Sequence, residues 1–406
     1  MSSMHQNGSH EKTDQTFLKN YNIKKVLQIL RYSDSLSRVE LAALSCLDKK
    51  TITNIVNELL SSGQIKAVSR VSDGYGRPRE MLALNGDYCY CLGVDLGGTH
   101  ISGVMTNFRG EIMYSKNVDL HSEFEPDTLI KLCYFVIDYL LRMANMQISD
   151  ISGIGASIPG FLDKDSGISL ISVNFPKWSN VPIRKVLKDK YGDSMDVYLD
   201  SNAVALAERW YGAGKDCSDF LVIDLGLGIG CGVVLDHKVF TGATGKSGEI
   251  GHTTVKSDGP PCTCGRRGCI ESLASGWALS SQASALMQRN KDTMLHSIMM
   301  KEAKPSTKDI VLAAEMDDQY CKELLEKAGE YIGIGIANAI SLFNPSKVII
   351  GGRLIEDNPV LMNKMQQTVE SHTIPAIYDD TQIIVSNLGI YASALGAATL
   401  CLEKYY

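Results

Sequence analysis

Two segments of this chain, "GVDLGGTH" from Gly93 and "VIDLGLGIG" from Val222, share one pattern: an apolar strand, an aspartate, then closely spaced glycines. Backbone N–H groups in such a turn make an anion nest, and glycine lets a phosphate come close to the chain. Either segment alone reads equally well as a glycine-rich hairpin turn. Their recurrence about 130 residues apart points instead to two related halves closing over one nucleotide. Asp95, Gly97, Gly98, Thr99, Gly226 and Gly228 are the residues assigned to that pocket, or to its remnant. Leu227, between the last two glycines, has no hydroxyl to offer a phosphate.

A chain of 406 residues exceeds one compact core, so two or three domains are expected. No apolar run approaches the roughly 20 residues that span a bilayer. The first 20 residues lack the apolar stretch of a secretory signal and read as a flexible arm. The expected location is the cytoplasm, with no membrane partner. Eleven cysteines, an odd number scattered except for one cluster, argue for reduced thiols and one metal-type site rather than a disulfide framework. Residues 1–86 hold 12 Lys/Arg against 8 Asp/Glu, whereas the rest holds 28 against 38. A basic N-terminal segment on an acidic body suggests a polyanion-binding module.

The segment 21–86 supports that reading. Ile23, Val26, Leu27 and Leu30 recur at helical spacing over 22–32. Ser37, with Glu40 three residues on, caps a short helix through Leu44, and Asp48 caps a longer one ending near Ser61 before Gly63. Two alternating runs follow, "QIKAVSRV" and "REMLALN", as a β-hairpin wing. This is the layout of a winged helix-turn-helix. Candidate contacts to double-stranded DNA are Ser37, Arg38, Lys49, Lys50, Thr51, Thr53, Asn54, Arg70, Arg77 and Arg79. A three-helix module used for protein contacts is the alternative, and it leaves the wing and the basic bias unexplained.

Beyond Asp87 strands alternate with helices. "VYLDSNAVALAERWYGAG" puts Asp200 at a strand end above a cleft, where a carboxylate serves either as a general base or as the N-cap of the following helix. "GEIGHTTVKSDGPPCTCGRRGCIES" gathers His252, Cys262, Cys264 and Cys269 within 18 residues. One imidazole and three thiolates are the ligand set of a closed tetrahedral zinc site. Glu249 and Glu271 flank the ligands, and neither is needed for zinc, so they are free to hydrogen-bond something polar, such as sugar hydroxyls.

With "GVDLGGTHI", "LDSNAVALAERWYGAG", "GEIGH", "CTCGRRGCIE" and "VIIGGRL" in place, the chain from about Asn22 onward resembles the ROK family (repressor, open reading frame, kinase). It is most similar to the sugar-responsive transcriptional repressors with a winged helix-turn-helix. The resemblance implies an α/β, two-domain actin/hexokinase-like (ribonuclease H-like) body behind the DNA module. The implied division is an arm at 1–20, a DNA-binding domain at 21–86, a first α/β domain at 87–200 with 390–406, and a second at 201–389. The last would carry the zinc site and the interface of a homodimer, with a tetramer left open. It implies a sugar held by Asn174, Asp200, Asn202, Glu249, His252 and Glu271, with structural zinc bracing His252 and Glu271. Gly351 and Gly352 join the nucleotide pocket.

The departures matter. The family's kinases usually have Gly-Thr-Gly where this chain has Gly226-Leu227-Gly228, and phosphoryl transfer depends on positioned donors. Leu199 precedes Asp200 where they usually have Asn, and His100 stands in place of Lys or Arg. Cys46 takes a turn position often held by glycine in the repressors. The expected function is repression of carbohydrate-utilisation genes, with operator DNA and a sugar effector as partners. The alternative is an ATP-dependent sugar kinase, with Asp200 as base and Mg-ATP as cofactor.

Overall fold

The computed structural model describes residues 7–71, 78–120, 124–172, 175, 177–289, 292–299 and 304–406. Arg77 and Asn174 lie outside the described residues. The chain opens with α1 (Asn7–Arg31), β1 (Leu36–Ser37), α2 (Arg38–Ser45), α3 (Lys49–Ser61), β2 (Ile65–Val71) and β3 (Arg79–Leu84). Ser37 and Glu40 form the expected capping box on α2, and Asp48 accepts the Lys50 and Thr51 N–H groups at 2.9 Å to cap α3. Cys46 has φ 56°, so the turn keeps its left-handed backbone with a cysteine in it, at a strain of roughly 1–2 kcal/mol. Ile52, Ile55, Val56 and Leu59 bury the inner face of α3, as the helical period requires.

The first helix is longer than its apolar stripe. It begins at Asn7, not near Asn22, because residues 7–21 carry no apolar period for a sequence reading to register. Phe17, Leu18 and Tyr21 are exposed there, and Lys19 reaches Glu58 of α3 at 2.9 Å.

The body begins with an antiparallel meander of β4 (Tyr90–Leu96), β5 (His100–Asn107) and β6 (Ile112–Asp119). Helix α4 (Pro126–Ala144) crosses to β7 (Gly153–Ile158), parallel to β4. After a small sheet of β8 (Phe161–Asp163), β9 (Ile168–Ile171) and β10 (Ser179–Val181), α5 (Ile183–Tyr191) leads to β11 (Met195–Leu199), parallel to β7. Helix α6 (Asp200–Tyr211) then passes to the second half.

That half repeats the first. A meander of β12 (Phe220–Leu225), β13 (Ile229–Leu235) and β14 (Lys238–Val239) is followed by α7 (Ile270–Ala274), α8 (Gly276–Arg289), α9 (Leu295–Ile298), α10 (Thr307–Glu315) and α11 (Gln319–Phe343). Strand β15 (Lys347–Gly351) lies parallel to β12; α12 (Pro359–His372) and α13 (Pro375–Tyr378) precede β16 (Gln382–Val385), parallel to β15. Helix α14 (Ala392–Leu402) returns to pack on β4, β7 and α6. The sheet orders β11-β7-β4-β5-β6 and β14-β13-β12-β15-β16 are one topology used twice. The central strands β4 and β12 are apolar and buried on both faces, as covered sheets require. Each sheet has its own apolar core, and a further core joins α1 to the body through Val26, Leu27, Leu30, Trp210 and Tyr406. Among the described residues no helix is long and apolar enough to cross a membrane.

Candidate functional site

The ends of the two sheets enclose a cleft of about 800 Å³. Asp95 and Asp224 stand at its base, each the penultimate residue of a central strand. Asp95 Oδ1 accepts the Ser157 and Ser393 hydroxyls at 2.9 and 2.8 Å. Burial nevertheless pushes its pKa up to about 6. Asp224 also rises to about 6, through burial and the nearby charge of Asp95. Asp200, directly after β11, opens α6 and accepts the Ser201 N–H at 2.6 Å. Burial, reinforced by Asp224 and Asp95, holds its pKa well above the ordinary carboxylate range. Three carboxyls sharing one poorly hydrated space disfavour simultaneous ionisation and favour partners that donate hydrogen bonds.

Glu249, His252 and Glu271 form the other acidic wall. His252 Nε2 lies 3.8 Å from Glu249 Oε2 and 3.8 Å from Glu271 Oε1. Glu271 Oε2 accepts the Ile229 N–H at 3.1 Å, which ties this wall to the second glycine loop. Burial, then the charge of Glu271, raises Glu249 to about 7. The Phe161 ring stacks on His252, with centroids 6.1 Å apart.

The other nitrogen of His252 faces the cysteines. Its Nδ1 is 3.5 Å from Cys262 Sγ, Cys264 and Cys269 sulfurs are 3.7 Å apart, and the four ligand atoms lie within 4.8 Å of one another. Zinc–sulfur bonds of about 2.3 Å in a tetrahedron put sulfurs about 3.8 Å apart, so the donor set fits that ion. The two roles expected of His252 would thus fall to different nitrogens. Its metal-side nitrogen would fix the ring while the other faces the cleft.

Asp95, Gly97, Gly98, Thr99, Gly226, Gly228, Gly351 and Gly352 all line the cleft, with Leu227 among them. Asn202 does not line it: two residues past Asp200, it points about 200° round the helix. Sequence reasoning overlooked Arg353, which crosses the cleft. Its Nη1 donates to Thr99 Oγ1 at 3.2 Å and its Nη2 lies 3.7 Å from Asp119. His100 beside it is lowered to about 4 by burial and by Arg353. Asp224 was not singled out as a site residue either, although its match to Asp95 in the repeated motif was a usable signal.

On the N-terminal module, Lys49, Lys50, Thr53 and Asn54 are exposed along α3, Thr51 is half-buried, and Arg70 is exposed on β2. Arg38 donates to Asn57 Oδ1 at 3.0 Å and lies 3.6 Å from Glu80. Arg79 opens β3. Ser37 is buried, with its hydroxyl committed to Glu40 at 2.7 Å, so it holds the cap and does not face outward.

Two sheets of one topology around an acidic, glycine-lined cleft define a body of the actin/hexokinase class. The ROK family model matches residues 91–404, and the chain belongs to the ROK family. The xylose repressor of Caldicellulosiruptor bescii is 31% identical over 396 residues, covering 96% of this chain and 97% of that protein. A glucokinase of Halalkalibacterium halodurans is 30% identical over 314 residues, covering 77% and 95%. Among solved structures, a ROK family transcriptional regulator homologous to the E. coli MLC protein superposes with TM-score 0.78 at 26% identity, covering 96% and 97%.

Proposed function

We propose that this protein is a sugar-responsive transcriptional repressor that binds operator DNA through α3 and the β2–β3 wing. What carries the reading is one pairing within one chain. The exposed basic and polar side of α3 accompanies an acidic cleft whose second glycine loop has Leu227 where a phosphate needs a donor. The repressor relative extends over the N-terminal module, whereas the kinase relative covers 77% of the chain. Lys49, Lys50 and Arg70 meet phosphates, and Asn54 reaches a base edge in the major groove.

In the cleft, Asp200, Glu249 and Glu271 accept hydrogen bonds from sugar hydroxyls, and His252 Nε2 completes the wall. D-xylose is the first candidate effector, given the relative's name. Zinc held by His252, Cys262, Cys264 and Cys269 would cross-link the loop that carries Glu249 to the start of α7, which carries Glu271. The protein works in the cytoplasm as a homodimer, each chain divided as the sequence implies into head and two α/β domains.

Asp200 sustains a second reading, a sugar kinase with Asp200 as base. A thermal-shift panel of D-xylose, D-glucose and N-acetyl-D-glucosamine, each with and without Mg-AMPPNP, separates the two. Ligand at 100 times its Kd adds about 2.7 kcal/mol of apparent stability. A shift with one sugar that ignores the nucleotide supports the repressor. A shift with nucleotide, together with sugar-dependent ADP production lost in Asp200→Asn, would establish the kinase.

A further inference from the structure

Helices α6 and α14 both start at the cleft and both end beneath the DNA module. Asp200 and Ser201 open α6 and line the cleft. Near the other end of α6, Trp210 carries Arg31 of α1 on its ring, with Cζ 3.1 Å from the centroid, and its carbonyl accepts from Arg31 Nη2 at 3.0 Å. In the first turn of α14, Ser393 lines the cleft and donates to Asp95. Beyond its last turn, the Glu403 and Tyr406 carbonyls accept from Lys24 and Gln28 of α1 at 3.4 and 3.5 Å. Asp200 and Trp210 are ten residues apart, about 15 Å of helix.

The two helices cannot slide past each other. A Cβ on Gly396 of α14 would lie 1.7 Å from the Ala203 carbonyl of α6, so their backbones touch. Thr399 donates to Tyr211 Oη at 3.0 Å, and Arg209 pairs with Glu403 at 3.0 Å. On another side of α6, a Cβ on Gly232 of β13 would lie 2.4 Å from the Ser201 carbonyl. Glu208, fully buried in α6, accepts the Ala213 N–H at 2.9 Å and the hydroxyl of Ser386, itself a cleft residue. These contacts hold α6 against α14 and β13 along its length.

We propose that α6 and α14 form a paired strut that carries cleft occupancy to the DNA module, with the Arg31–Trp210 stack as its joint. The proposal rests on the sugar-responsive reading above and adds the route of its regulation. A guanidinium stacked on an indole within a buried core is sensitive to the ring's position, because separating them leaves a cation with less to stabilise it. A shift at Trp210 is thereby felt by α1, whose Val26, Leu27 and Leu30 share a core with Ile52, Ile55, Val56 and Leu59 of α3.

The experiment uses full-length protein and an operator selected by the wild type from random-sequence duplexes. Operator affinity is measured with and without saturating D-xylose, D-glucose or N-acetyl-D-glucosamine. The wild type is expected to change affinity by about 10-fold or more with one of them, within the usual range of allosteric coupling. In Arg31→Ala and Trp210→Leu the ratio should fall below about 2-fold, while the sugar's Kd for the free protein stays within about 3-fold. Intact sugar binding shows that the variant body is folded. If either variant binds sugar and keeps the wild-type ratio, the strut is not the route. A wild type that binds operator and responds to none of the sugars overturns the functional reading itself, and the route with it.

Discussion

Asp95 and Asp224 are the same residue of two copies of one architecture: each is penultimate in the central strand of its sheet, and burial, then the charge of Asp95, raises the pKa of Asp224. The pair, with Asp200 close enough to feel both charges, puts three carboxyls in one cleft.

That arrangement has a consequence for stability against pH. Both aspartates have folded-state pKa values of about 6, above the unfolded value near 3.9. Between roughly pH 4 and 6 the folded state binds more protons than the unfolded one, so stability falls as pH rises through that window. Asp224→Asn removes one such charge. Melting curves of the unliganded protein from pH 4.5 to 8 should show the variant more stable above pH 6.5, by about 1–3 kcal/mol, with a flatter profile.

A Glu271 substitution should separate sugar binding from DNA binding. Glu271→Ala removes an acceptor from the cleft wall and the partner of the Ile229 N–H. Calorimetry should show sugar affinity weakened about 10-fold or more, since a lost hydrogen bond to a charged group costs about 1.5–3 kcal/mol. Operator affinity without sugar should stay as in the wild type.

The Cys3His cluster makes a prediction about composition. Purified protein should contain one zinc per chain by elemental analysis. Cys269→Ser should lose the metal and lower Tm by about 10 °C or more, as loss of a structural site removes several kcal/mol. Retention of full stability without metal would show that three thiols and an imidazole suffice by packing alone.

On α3, Lys50 and Asn54 should behave differently. Lys50→Ala should weaken binding to all duplexes alike and reduce the salt slope by about one unit. Asn54→Ala should cost about 1–3 kcal/mol on the operator and relax its specificity at one position. Anisotropy titrations at several salt concentrations distinguish the two.

Legibility in the sequence followed distance along the chain. The four residues of the Cys3His cluster lie within 18 residues, and the caps at Ser37 and Asp48 act within three, so local patterns announced the cluster and the caps. The repeat of strand, aspartate and glycine foretold the two sheets. By contrast, Arg353 meets Thr99 across 254 residues and Arg31 meets Trp210 across 179. No local period marks such contacts; only the fold brings them together. The extension of α1 back to Asn7 was hidden for a different reason, because an exposed helix without an apolar stripe leaves little periodic signal.

The most direct test of the account is an anisotropy titration of the selected operator with wild-type protein at fixed salt, with and without the sugar that stabilises it. The account predicts tight, salt-dependent binding whose affinity changes by about 10-fold or more when the sugar is added. Binding that is indifferent to that sugar, or absent at every salt concentration, would contradict it.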